Sequence, residues 1–271
     1  MPELPEVETT CRGIAPHIIN HRVSDIIIRQ KQLRWPISPG LKKGLINQAI
    51  QNVSRRGKYI LLHANTGTAI IHLGMSGSLR ITDRDSLVRK HDHVDIIFTN
   101  EKILRLHDPR RFGALLWTTD DPFEHELLQE LGPEPLTDDF SATALHQLSR
   151  RRKTSIKTFI MNSHVVVGVG NIYASEALFL AGIHPSRRAD KISLPRYELL
   201  VAAIKKVLAA SIKQGGTTLR DFVNEKGQPG YFQQTLNVYG RTGEACRQCG
   251  KLISQTRTLQ RSTFYCSHCQ K

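Results

Sequence analysis

The chain is 271 residues long and carries 38 Lys and Arg against 24 Asp and Glu, a formal charge of +14 with a pI near 9.8. It has no apolar run of the roughly 18 residues that a membrane-spanning helix needs, and no apolar stretch follows Met1 as in a secretory signal, so secretion is not expected. A chain this basic is expected to meet nucleic acid, because neutralising phosphates releases counterions; an anionic membrane is the weaker alternative, since no basic amphipathic helix stands out.

The opening stretch MPELPEVET predicts a helix start. Pro5 is tolerated in a first turn, and Glu6 and Glu8 sit near the positive end of the helix dipole. Val7, Cys11 and Ile14 recur at i, i+4 and i+7 as one buried face, with Cys11 acting as a small hydrophobe. Gly13 and Pro16 are expected to end or kink this helix. Helix initiation leaves Pro2 and Glu3 unexplained.

From Val23 to Thr118 the chain reads as strands. RVSDIIIRQ, KYILLHANTGTAIIHLGMSGSLRI and HVDIIFTNEKILRLHD are β-branched runs broken by turns such as Asn65-Thr66-Gly67, a pattern of sandwiches and barrels. His91 and His93 in HDH resemble a metal pair with no third ligand nearby, which favours structural or phosphate-contacting roles. HLGMSG (72–77) and DPRRF (108–112) place Met75, Arg110 and Phe112 in loops. Exposed Met and Phe beside Arg suit a wedge between bases, and ordinary core packing accounts for the same residues equally well.

GPEPLTDD at 132–139 marks a boundary, after which the period becomes helical in SATALHQLSRR, ASEALFLAGI and LPRYELLVAAIKKVLAASIKQ. RRRKTSIK at 150–157 carries Arg150, Arg151, Arg152, Lys153 and Lys157 with no acid. VVVGVGNIY resembles a dinucleotide fingerprint, but Tyr173 occupies the third glycine position and Asp190 is not at a strand end. The better reading makes Asn171 the N-cap of a helix ending at Gly182, its N-terminus offering N–H groups to a phosphate. The Gly-rich stretch 215–230 reads as a mobile loop. The tail, Cys246-x2-Cys249-x16-Cys266-x2-Cys269, predicts a tetrahedral zinc site on a β-hairpin. So small a module has too little core to fold without such a staple. Arg261 would project from its tip.

Taken together, PELPEVET, RRGKY (55–59), HLGMSGSLR, KHDH, DPRRFG, LGPEPL, VGNIY and the four cysteines closely resemble the bacterial formamidopyrimidine-DNA glycosylases, along the whole chain. The resemblance implies an α+β multidomain fold. Residues 1–131 would form a catalytic β-sandwich with a leading helix, 132–149 a linker, 150–232 a helix–two-turn–helix domain, and 233–271 a zinc finger. It implies a monomeric bacterial cytoplasmic enzyme that excises oxidised purines from damaged double-stranded DNA and cleaves the abasic strand, with one structural zinc ion and no small-molecule cofactor. Pro2 would be the nucleophile once Met1 is removed, Glu3 its acid–base partner, Lys58 the proton donor for β-elimination and Arg261 that for δ-elimination. His91, Arg110 and Arg152 match DNA contacts, Lys157 and Asn171 phosphate contacts, and Glu176 an acid near the damaged nucleotide. Met75, Arg110 and Phe112 match the trio that fills the void left by a flipped base. Thr158, where close relatives often have proline, and MNSH at 161–164 depart from the pattern without touching a catalytic position. The rival readings are an endonuclease VIII-like enzyme for oxidised pyrimidines and a catalytically silent DNA-binding protein.

Overall fold

The structure is a computed structural model that describes residues 2–215, 236–258 and 260–271. The chain divides into two units, one built on Met1–Glu130 and the other on Leu131–Lys213 with Phe232–Lys271. The loop expected at 215–230 lies, Gly215 apart, outside the described residues.

In the first unit, helix α1 (Leu4–Ile18) precedes eight strands: β1 (Val23–Ile28), β2 (Asn52–Arg56), β3 (Tyr59–Ala64), β4 (Gly67–His72), β5 (Ser78–Thr82), β6 (Asp92–Phe98), β7 (Ile103–His107) and β8 (Ala114–Thr118), with a short helix α2 (Gly40–Leu45) after β1. They form two antiparallel four-stranded sheets, ordered β1-β6-β7-β5 and β2-β3-β4-β8. Ile26, Val94, Ile96 and Leu106 from one sheet and Ile60, Leu62, Ile71 and Leu115 from the other close over a single apolar core, so the expected sandwich is present. Open sheet edges invite foreign strands. Here α1 packs on β2 and β5, an edge strand of each sheet, and α2 packs on β8 and β1, the two opposite edges.

Of the two outcomes expected at Gly13 and Pro16, an end or a kink, helix α1 does not end there. It continues to Ile18, with Pro16 inside its last turn. Ile14 and Ile18 are both fully buried, and that burial outweighs the single backbone hydrogen bond a proline forfeits.

Strand β6 is buried on both faces rather than one. On its non-core side Asp95 binds Arg105 through both oxygens at 2.7 and 2.9 Å and also binds Arg29 at 2.6 Å. Asp92 accepts from Arg80, the Arg89 N–H and His107. Despite burial, these partners hold both carboxyls below the usual range. The guanidinium of Arg105 reaches on to the carbonyls of Ser86 and Leu87, so the network fastens the 83–91 loop over the sheet.

The second unit contains α3 (Ala142–Ser149), capped by the Ser141 hydroxyl, α4 (Ile156–Ile160), capped by Ser155, α5 (Asn171–Leu180) and the long α6 (Leu194–Lys213). Among the described residues no helix is long and apolar enough to cross a membrane. Helix α5 ends as expected at Gly182, which has φ 66°. Gly182 N–H donates to Phe179 O and Ile183 N–H to Leu178 O, the paired bonds of a Schellman motif. Its start is one residue earlier than the sequence suggested: extended Gly170 is the N-cap and Asn171 the first helical residue. The Asn171 side chain is used elsewhere, donating to the carbonyl of Ser262.

Strands β9 (Ser254–Thr258) and β10 (Arg261–Tyr265) form the terminal hairpin. Its small core, Val238, Ile253 and Phe264 with Cys246 and Cys266, is completed by Phe179 of α5. Glu176, one turn earlier and 2% exposed, aims its carboxylate at the chain entering the hairpin. One oxygen accepts from the N–H groups of Val238 and Tyr239, the other from the backbone and side-chain amides of Asn237, all at 2.8–3.0 Å. Glu176→Gln would turn an amino group toward N–H donors and leave them unmet. It is expected to cost about 3 kcal/mol or more, measurable by chemical denaturation at constant zinc.

Candidate active site and metal centre

In the first unit, Pro2 is buried immediately ahead of the α1 N-cap, Glu3. Glu3 and Glu6 are 2% and 0% exposed, and the Glu6 carboxylate accepts the Glu3 N–H at 2.8 Å. This reciprocal end of the helix fixes the backbone that carries Pro2.

Lys58 sits in the two-residue turn joining β2 and β3, where Arg56 pairs with Tyr59. Gly57 supplies the positive φ, 57°, that tight hairpin turns require. The ammonium of Lys58 acts on His72, at the end of neighbouring β4. Burial first, then the charges of Lys58 and Arg34, push the His72 imidazole down to about 4. Its Nδ1 accepts the Gly74 N–H at 3.0 Å, a bond that requires that nitrogen unprotonated.

Met75 and the pair Arg110 and Phe112 lie on loops whose backbones touch. A Cβ on Gly74 would stand 2.5 Å from the carbonyl carbon of Phe112, and one on Gly113 2.7 Å from the His72 oxygen. Gly74 also has φ 64°, so glycine is needed twice over at that position. Asp108, fully buried, holds the second loop by accepting the N–H groups of Arg111 and Gly113 at 3.1 and 2.8 Å. The Arg110 guanidinium lies 4.7 Å over the Phe112 ring, which is 45% exposed. An exposed aromatic capped by a cation is a surface feature rather than core packing. His93 is structural, its ring bonded to the Asp108 carbonyl at 2.8 Å, while the His91 ring stands edge-on to His93 and His107.

In the second unit, Arg152, Lys157 and Arg261 line one cavity of about 460 Å³ with Thr154, Asn162 and Thr263. Arg261 is the exposed first residue of β10, closing the hairpin opposite Thr258. Lys157 is 2% exposed, and Nζ donates to Ser262 O and Thr263 Oγ1 at 3.1 and 2.9 Å. Glu176, matched by resemblance to an acid near the damaged nucleotide, has its two oxygens occupied by the four donors described above.

The sulfurs of Cys246, Cys249, Cys266 and Cys269 all lie within 4.8 Å of one another. The Cys246–Cys269 and Cys249–Cys266 separations are 3.8 and 3.5 Å. Sulfurs about 2.3 Å from a tetrahedral zinc stand roughly 3.8 Å apart. The four thiols therefore fit one structural zinc ion.

Three family models match the chain: the formamidopyrimidine-DNA glycosylase N-terminal domain over residues 1–115, the formamidopyrimidine-DNA glycosylase H2TH domain over 131–223, and the zinc finger found in FPG and IleRS over 243–271. The chain belongs to the formamidopyrimidine-DNA glycosylase family. It is 59% identical to the formamidopyrimidine-DNA glycosylase of Methylococcus capsulatus, over 100% of both chains. It is similar in structure to the wild-type Lactococcus lactis Fpg (MutM) complexed with DNA containing N7-benzyl-Fapy-dG, with a TM-score of 0.92 and 34% identity over 100% of each chain. MutM (Fpg) from Thermus thermophilus superposes with a TM-score of 0.90 at 32% identity, over 99% of this chain and 98% of that one.

In this formamidopyrimidine-DNA glycosylase family member, sequence reasoning missed His72, Asp108 and the Ser262–Thr263 pair. Asp108 carried a signal, since Asp before Pro commonly ties a turn through its carboxylate. His72 carried none, because its neutrality depends first on burial in the folded sandwich and then on the charges of Lys58 and Arg34 from other segments. As pH falls through 6.5 the unfolded imidazole protonates, whereas the folded ring resists until about 4. Stability present above pH 6.5 is therefore lost across this window, by at most about 3 kcal/mol. His72→Asn keeps an acceptor for Gly74 and removes the titration. Its urea midpoint is expected to fall less than the wild type's between pH 7.5 and 4.5.

Proposed function

We propose that this glycosylase excises oxidised purines from duplex DNA and then cleaves the abasic strand, with the Pro2 amine as nucleophile. The observation that carries the reading is the buried junction at α1, where Pro2 precedes two acids that are 2% and 0% exposed. With Met1 removed, Pro2 is a secondary amine whose ordinary pKa, about 8, leaves a neutral fraction at pH 7. Solved relatives are complexes with Fapy-dG- and 8-oxo-G-containing DNA, which supports the lesion class.

Attack of the proline nitrogen on the sugar C1′ forms the C–N bond while the damaged base leaves with the electrons of its glycosidic bond. Glu3 passes a proton to the sugar ring oxygen as the ring opens, and the nitrogen becomes a fixed-charge iminium. That cation takes up the electron pair of the C2′–H bond as the proton departs, giving an enamine, and the pair returns to expel the 3′ phosphate with the electrons of its C3′–O bond, with Lys58 as proton donor. A second elimination expels the 5′ phosphate, served by Arg261. His91 and Arg152 contact the DNA, and Met75, Arg110 and Phe112 fill the gap left by the extruded nucleotide. The protein works as a monomer, with domains divided near residues 131, 150 and 233.

Borohydride is expected to trap a covalent adduct with damaged DNA that maps to Pro2. An N-terminal extension should abolish trapping while DNA binding persists; equal trapping would point to a lysine and overturn the mechanism.

Arg110 can donate to the O2 and N3 acceptors of an orphaned cytosine, whereas adenine presents a donor amine beside its N1. Lesions opposite cytosine are therefore expected to be processed faster than those opposite adenine. Arg110→Ala should flatten that ratio, and Phe112→Ala should slow excision opposite every base, as measured with the lesion placed opposite each base.

A further inference from the structure

The resemblance matches Lys157 to a phosphate contact, but the structure uses its charge inside the protein. Two side chains from different helices, Lys157 of α4 and Asn171 of α5, donate to one carbonyl, that of Ser262, at 3.1 and 3.0 Å. A carbonyl has two lone pairs, so these bonds saturate it. The same ammonium also donates to the Thr263 hydroxyl at 2.9 Å, and Thr263 is fully buried. Ser262 directly follows Arg261, whose other neighbour, Gln260, has φ 62°. The Arg261 backbone is thus held by a left-handed residue on one side and a doubly gripped peptide on the other, while its side chain opens on the cavity with Arg152.

From this convergence we infer that Lys157 is a positioning residue for Arg261, with Asn171 as its partner, and that Lys157 neutralises no DNA phosphate. Gripping the Ser262 carbonyl fixes the direction in which Arg261 leaves the hairpin. Displacing a reacting group by about 1 Å can cost orders of magnitude in rate, so a lysine that never touches substrate governs the step Arg261 serves. The inference rests on the assignment of δ-elimination to Arg261 made above.

The full-length zinc-loaded protein is compared with Lys157→Met and Thr263→Val on an abasic duplex and on an 8-oxoguanine duplex. A lysine on a phosphate contributes about 0.9 to the slope of log affinity against log salt. We expect Lys157→Met to leave that slope unchanged and to lower the ratio of δ- to β-elimination product on the order of tenfold, with a drop of about threefold in Thr263→Val. Thr263→Val keeps every charge and guards against a Lys157→Met protein that fails to fold. In both variants the order parameter of the Arg261 backbone N–H, read by NMR, should fall from the rigid-backbone value of about 0.85 toward about 0.6. A slope reduced by about 0.9 in Lys157→Met, or an unchanged Arg261 order parameter in both variants, overturns the inference. A wild-type protein that makes no δ product would instead overturn the role given to Arg261, and the order parameter still decides whether Lys157 positions it.

Discussion

A carboxylate removed from water must be met by donors, and in each unit one such carboxylate fixes a segment that bears an exposed cation. In the sandwich Asp108 binds the N–H groups of Arg111 and Gly113. In the helical unit Glu176 binds three backbone N–H groups and one side-chain amide at the entrance to the zinc hairpin. Neither acid needs to touch DNA to matter, because an N–H left unmet in a dry site costs more than an ordinary hydrogen bond returns. The exposed tips, Phe112 in one unit and Arg261 in the other, can therefore be held in place although the loops bearing them have little core of their own.

Cationic side chains are sorted by the same rule. Those that ordinary packing buries are consumed by the fold: Arg105 by Asp95, Arg80 by Asp92, and Lys157 by the Ser262 carbonyl and Thr263. Those left exposed, such as Arg110, Arg152 and Arg261, keep their charge available to phosphates. The formal charge of +14 says that the molecule is attracted to a polyanion, and burial decides which residues meet it. Near Lys58 the sorting works through an imidazole, since His72 stays neutral beside that ammonium and adds no competing charge.

The zinc hairpin shows how a module too small for an independent core is made firm. Its cysteines face one another at metal-binding distances, and binding energy for the metal becomes folding energy. The helical unit supplies the rest. Phe179 enters the hairpin's core, Gln270 donates to the Ile183 carbonyl, and the backbone of Lys271 exchanges hydrogen bonds with Gly182 and His184. The finger is thus an extension of α5 rather than a tethered bead, which is what a rigid presentation of Arg261 requires.

By itself the sequence determined much that rests on local pattern: a helix started by the opening stretch, the run of strands from Val23 to Thr118, the Gly182 helix stop, the cysteine spacing and the loop placement of Met75, Arg110 and Phe112. Each of these depends on periodicity, glycine stereochemistry or ligand spacing within a few residues. It erred where a distant contact overrode a local signal. Pro16 was read as ending or kinking the helix, yet burial of Ile18 carries the helix past it. Asn171 was read as a cap, yet Ser262, 91 residues away, claims its amide. Only the tertiary structure decided that β6 would bury a paired charge network, that His72 would be neutral, and that Lys157 would spend its charge within the protein. The physical reason is common to all three: the worth of a polar side chain depends on the donors, acceptors and solvent around it, and those are brought together only by the completed fold.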